Sequence, residues 1–305
     1  MGSVLEGFAT IGVVIAVGVL LAHLRILDIG AQQVLSRVSF YVASPALIVT
    51  LMARTDVSHV LGRQLVATVC GVVVPLVVYV VCARVVWQRG LGDTVIGGFA
   101  SAYVNAGNLG LPVAAYVLGD ATYVVPTLLL QLCVLTPIGL ALLDHDERGS
   151  SSLRTVVLRP LTTPLTLAML IGLLLSVTST TLPEPVSAPL VLIGGMAVPS
   201  MLVAYGVSLR LGGGFGSGGP ASEIALASVL KLLVQPLVAT LAGACLGLTG
   251  HALLAVAVVS ALPTAQNVFT YAIRYDRGRL LARDTILVTT TLCVPVTLVI
   301  AAVLG

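Results

Sequence analysis

Charge is scarce in this sequence. Only 9% of its 305 residues are charged, whereas 58% are hydrophobic and the mean hydropathy is +1.10. A water-soluble core of this length has no use for so much apolar surface, so the composition reads as a multi-spanning membrane protein. The short alternating segments of a transmembrane barrel are missing too, because the apolar runs are long and continuous; helices remain. No basic patch is interleaved with aromatics, and the net charge of +3 is spread between apolar runs, which excludes a nucleic-acid surface. Cys70, Cys82, Cys133, Cys245 and Cys293 show no C-x-x-C spacing and read as small buried hydrophobes. The N-terminal run lacks the basic n-region and cleavage site of a signal peptide and reads as the first spanning helix. His23, His59, His145 and His251 form no H-E-x-x-H. Ser228 to Lys231 spells S-x-x-K without S-D-N or K-T-G. The G-F-G-S-G-G at Gly214 to Gly219 follows a spanning helix rather than a strand. Metal, nucleophile and dinucleotide chemistry therefore have no constellation, and no cofactor is expected.

What is present is a succession of apolar runs, each near the roughly 20 residues that cross a bilayer. They lie near 4–24, 34–53, 65–87, 94–118, 123–143, 161–181, 186–209, 224–248, 251–273 and 284–304. Twelve arginines follow odd-numbered spans (Arg25, Arg37, Arg84, Arg89, Arg148, Arg154, Arg159, Arg210, Arg274, Arg277, Arg279 and Arg283) against Arg54 and Arg63 on the opposite side. The odd loops are thus expected in the cytoplasm and both termini outside the inner membrane. The charged stretch after Asp144 divides the chain into 1–144, a linker 145–159 and 160–305. Prolines recur in order across the two halves: Pro45 and Pro199, Pro75 and Pro236, Pro112 and Pro263, Pro137 and Pro295, separated by 154, 161, 151 and 158 residues. Because each half holds five spans, a duplication would run in opposite senses. The expected fold is an all-α membrane protein of ten helices in two inverted five-helix repeats.

Two runs are spoiled near their middle. NAGNLGLP, Asn105 to Pro112, interrupts span 4, and LPTAQNVF, Leu262 to Phe269, interrupts span 9. Irregular backbone at membrane depth survives only where protein or a wet cavity satisfies it, and paired breaks in two halves point to a transporter's binding site. Pro112 and Pro263 suit the first turn of a new half-helix, whose N-terminus carries roughly +0.5 of an elementary charge. The preceding half-helices end there with the opposite sign, so dipoles alone do not give an anion preference. Asn105, Asn108, Gln266 and Asn267 can hold a carboxylate or patch the broken backbone. Lys231 lies about 12 Å along span 8 from Glu223. It is read either as a direct participant or as a side chain reaching the surface or a neighbouring half-helix C-terminus. No Asp or Glu falls mid-span, so no buried acid supports cation coupling.

FYVASPALIVTLM, NAGNLGLP, LKLLVQPL and ALPTAQNVFTYAIRYDRG, with the ten-span pattern around them, resemble the auxin efflux carrier family, distantly similar to the plant PIN exporters. The resemblance implies the fold of bile-acid sodium symporters and certain sodium/proton antiporters, with spans 4 and 9 unwound and crossing in an X. It also implies transport of organic anions: auxin in plants, and dicarboxylates such as malate or malonate in bacteria. Carried over to this sequence, the crossing falls at Asn105, Asn108, Gly110 and Pro112, and at Pro263 and Asn267. The long cytoplasmic loop of the plant exporters is absent, and regulation through it is not implied. The expectation is an alternating-access permease for small mono- or dicarboxylates, auxin-like compounds included, in the lipid bilayer, with a homodimer allowed. Its substrate-binding residues would be Asn105, Asn108, Gly110, Pro112, Pro263, Gln266, Asn267 and Lys231. An anion channel and an intramembrane enzyme are the competing classes.

Overall fold

The computed structural model describes residues 2–53, 62–148, 163–211 and 220–305, with side chains from residue 9 onward except those of Arg148 and Ser208. Arg54, His59, most of the 145–159 linker and the Gly214–Gly219 loop lie outside the described residues. Every regular element described is helical. In chain order these are α1 (Gly2–His23), α2 (Ile29–Met52), α3 (Arg63–Val86), α4 (Leu91–Ala102), α5 (Leu111–Tyr116), α6 (Ala121–Glu147), α7 (Pro164–Val177), α8 (Glu184–Leu211), α9 (Ala221–Cys245), α10 (Gly250–Ser260), α11 (Gln266–Tyr275) and α12 (Arg279–Leu304). Among the residues whose side chains are described, six helices, α2, α3, α6, α8, α9 and α12, are long and apolar enough to cross a membrane, and α1 contributes a further apolar stretch at Ala9–His23. The apolar helices α7 and α10 are shorter, and two of the expected spans are each divided into two pieces.

Prolines explain four of the five π-turns described within the helices; the fifth, Cys82–Val86, ends α3 without one. One-turn π-helices at Ser39–Ala43, Ala106–Gly110, Gln131–Leu135 and Leu230–Val234 each stand immediately upstream of a proline, namely Pro45, Pro112, Pro137 and Pro236. A proline lacks its N–H and its ring presses on the preceding turn; widening that turn accommodates both defects without ending the helix. Helix ends follow the usual chemistry. Asp28 caps α2 by accepting from the Ala31 N–H at 2.7 Å, so α2 begins five residues before the apolar run does.

The chain forms two compact units, each drawn from both halves of the sequence. The first comprises Met1–Val60, Gly107–Val125 and Leu161–Gly214. Its main contact is α1 along α8, where Gly18 faces Val203 and Gly206 faces Ile15. A Cβ on Gly206 would stand 2.1 Å from the Ile15 carbonyl oxygen, so the two backbones touch as small residues permit in membrane helix pairs. The second unit comprises Leu61–Ala106, Pro126–Pro160 and Phe215–Gly305. There α3 packs along α9 through Gly71 and Ala239, and Tyr79, Ile96, Phe99, Leu143, Leu230 and Val268 belong to its core. Among the cysteines Cys293 is buried and Cys70, Cys82 and Cys133 are half-buried. Cys245 departs from the expectation: it is exposed, at the end of α9.

At one end of the second unit, side chains tie its loops together. Glu223 is buried, its Oε1 taken by the Arg89 guanidinium, with the Nε contact at 2.9 Å, and its Oε2 by the Tyr79 hydroxyl at 3.2 Å. The Glu223 carboxylate raises the pKa of Arg89 above the ordinary arginine value. Asp93 accepts from the Gly278 N–H at 2.8 Å, Tyr275 donates to Asp144 at 2.9 Å, and Arg277 pairs with Asp146 at 2.9 Å. Gly278 has φ +51°, and a Cβ there would meet Ile96 at 2.9 Å, so only glycine fits this close turn.

Candidate functional site: a crossing of two interrupted helices

In the second unit, α4 stops at Ala102 and α10 stops at Ser260. Pro263 gives the second stop its cause, since it carries no N–H for another helical bond and biases Leu262 away from helical geometry. The chain then runs extended to Ala265 (φ −70°, ψ 140°), and α11 begins at Gln266. On the other side Tyr103 is extended (φ −81°, ψ 110°), and helical structure resumes at Ala106.

The two extended pieces meet. The Asn105 N–H donates to the Pro263 carbonyl at 2.8 Å and the Ala265 N–H donates to the Tyr103 carbonyl at 3.0 Å, an antiparallel bridge centred on Val104 and Thr264. Each break thus supplies part of what the other has lost. Side chains supply the rest. Thr264 Oγ1 donates to the Ala100 carbonyl at 2.6 Å, Gln235 Nε2 to Ala102 at 3.2 Å, Gln131 Nε2 to Val104 at 3.0 Å and Lys231 Nζ to Ser260 at 2.8 Å. Thr289 Oγ1 accepts from the Thr264 N–H at 3.1 Å, and the Tyr103 hydroxyl shares a hydrogen bond with Thr136 at 2.8 Å. Gln131, Lys231, Gln235, Thr264 and Thr289 are all buried, where unpaired polar groups would be costly.

The start of α11 is treated differently. Its N-cap position is Ala265, with no side-chain cap; the Val268 N–H turns back to the Ala265 carbonyl at 3.1 Å, and the N–H groups of Gln266 and Asn267 lack the usual capping partner. Gln266 and Asn267 are only half-buried, and among the described residues their side chains make no hydrogen bond. Two amides and a helix N-terminus are therefore available together.

Of the residues singled out in the sequence, Asn105, Pro263, Gln266, Asn267 and Lys231 belong to this unit. Asn108, Gly110 and Pro112 belong to the first unit, in the Ala106–Gly110 turn and at the start of α5. One expectation needs correction. Pro263 does not sit in the first turn of a half-helix; it stands in the extended segment, where its carbonyl is used by Asn105. Pro112 does stand in the first turn of α5, although that helix follows the Ala106–Gly110 π-turn without a gap and the chain leaves helical geometry upstream, at Tyr103 to Asn105. Sequence reading missed Gln131, Gln235, Thr264 and Thr289. The two glutamines carried a signal, being amides in apolar runs shortly before Pro137 and Pro236.

A family model described as membrane transport protein matches residues 3–150 and 145–301. An "Uncharacterized transporter" of Methanothermobacter thermautotrophicus is 28% identical over 288 residues, covering 90% of this chain and 90% of that protein. A "Putative malonate transporter" of Rhizobium meliloti is 27% identical over 268 residues, covering 83% of this chain and 81% of that protein. Matched over nearly its whole length, this chain belongs to the auxin efflux carrier family of membrane transport proteins, and is a multi-pass transporter, not an enzyme.

Proposed function

We propose that the protein is a secondary transporter of small organic anions, carboxylates foremost, working by alternating access around the crossing. One observation carries the reading: the C-terminal carbonyls of α4 and α10 are capped by donors, whereas the N-terminus of α11 is left open beside Gln266 and Asn267. The opposed dipoles that would cancel in a bare crossing are thereby made unequal, and the surplus is positive. A carboxylate is the group that fits, taking N–H and amide donors at once. The relative named for malonate supports a dicarboxylate.

Internal symmetry supports the transporter architecture. Ala102 and Ser260, the ends of α4 and α10, are 158 residues apart. Gln131 and Thr289, each holding the break of its own half, are separated by the same distance, as are Pro137 and Pro295. The common register favours an inverted repeat whose true equivalents are the breaks themselves rather than Pro112 and Pro263.

Reconstitution in proteoliposomes tests the reading. Uptake of mono- and dicarboxylates should saturate and show counterflow, and Asn105→Ala and Asn267→Ala should abolish it while the folded protein is still recovered from the membrane. Normal uptake kinetics in both variants would remove the crossing from the site, and currents far above carrier turnover would make the protein a channel.

A further inference from the structure

We infer that Lys231 sets the charge preference of the crossing without touching the anion, by acting as the cationic cap of α10; this rests on the site proposed above. Lys231 is fully buried, and its Nζ donates to the carbonyl of Ser260, the last residue of α10. The backbone N–H groups that follow turn back to Ala257, Val258 and Val259, so the ammonium serves a carbonyl that they leave over. Among the described residues no carboxylate forms an ion pair with it. Gln235, one turn further along α9, does the same for Ala102 at the end of α4, so one helix holds the end of each interrupted helix. The two caps differ in one respect: the amide brings no net charge.

A helix C-terminus carries about −0.5 of an elementary charge. An amide donor satisfies the carbonyl and leaves most of that field; an ammonium reverses it. The α10 terminus and the α11 N-terminus are separated only by Ala261 to Ala265, so the sign at Ser260 is felt where the amides of Gln266 and Asn267 stand open. In a surrounding of low polarity, each additional negative charge on the substrate gains from that ammonium. Lys231 is therefore a positioning and specificity residue, favouring dianions over monoanions, while Gln235 is a neutral support.

The test compares malonate and succinate with their monoamides, which keep the size and remove one charge, in proteoliposomes of wild type, Lys231→Met, Lys231→Gln, Lys231→Arg and Gln235→Leu. Neutral replacements at Lys231 should raise the apparent KM for the dicarboxylates about tenfold and for the monoamides no more than about twofold. Lys231→Arg should restore the ratio, and Gln235→Leu should lower both rates without changing it. The monoamide KM in the same preparation reports an intact site. Equal losses for both charge states, or no recovery of the ratio by arginine, would overturn the proposal while leaving the crossing as the site. Unimpaired uptake by Asn267→Ala, or no transport of any acid by wild type, would instead remove the reading on which it rests.

Discussion

At the residue scale, the crossing depends on hydroxyl and amide groups that each replace one lost backbone bond. Thr264 does so twice, its N–H donating to Thr289 and its Oγ1 to Ala100. Thr264→Val keeps the shape and the first bond but leaves the Ala100 carbonyl without its donor. Stability should fall by about 1–3 kcal/mol, the usual cost of a buried unpaired group. Thermal unfolding in detergent would read it, and an unchanged midpoint would mean that another donor takes over. The residues that define this shell were only partly legible in the sequence. Asn105, Gln266 and Asn267 stand out as amides beside a proline or glycines. Thr264 and Thr289 do not, because threonines in an apolar run commonly bond to their own helix, as Thr297 does to Cys293. The partner of Thr264 Oγ1 is also 164 residues away in the chain, a relation that no local pattern encodes.

At the scale of the element, the apolar runs located the helices to within about five residues, because membrane helices announce themselves by apolar length. The sequence pattern set the first interruption at Asn105 to Pro112, which takes in only the last residue of the Tyr103 to Asn105 segment that leaves the helix. The π-turns account for the difference: by widening ahead of Pro45, Pro112, Pro137 and Pro236 the backbone absorbs each ring and continues. Close packing of whole elements was equally hidden. In the first unit the contact of α1 with α8 depends on Gly18 and Gly206, while a methyl group added to Gly12 of the same α1 helix would meet nothing within 4 Å. Gly206→Ala should therefore lower stability by about 1–3 kcal/mol through overpacking. Gly12→Ala should be neutral or raise stability by up to about 1 kcal/mol through helix propensity. Unfolding of both variants in one detergent separates the two effects, and an equal response would refute the contact.

For the second unit taken whole, α4 and α11 are fastened at both ends. The bridge between Val104 and Thr264 joins them at the crossing. At the opposite end, Asp93 holds the Gly278 backbone, and the pairs Arg89 with Glu223, Tyr275 with Asp144 and Arg277 with Asp146 gather the neighbouring loops. A helix of the length of α4 puts that end about 18 Å from the crossing, so these groups do not meet a substrate held there. In the proposed alternating-access cycle they keep the half-helices together, so that the unit moves without its site opening at the seams. Glu223→Gln tests this, for it keeps the volume and removes the charge that Arg89 answers. Arg89 is 43% exposed and rehydrates readily, so the loss should be about 1–3 kcal/mol rather than the larger penalty of a fully buried broken pair. Transport should show a lower maximal rate with an unchanged apparent KM, since binding geometry at the far end is preserved while the cost of moving an intact unit rises. A raised KM at an unchanged maximal rate would show instead that the ionic end belongs to the binding site itself.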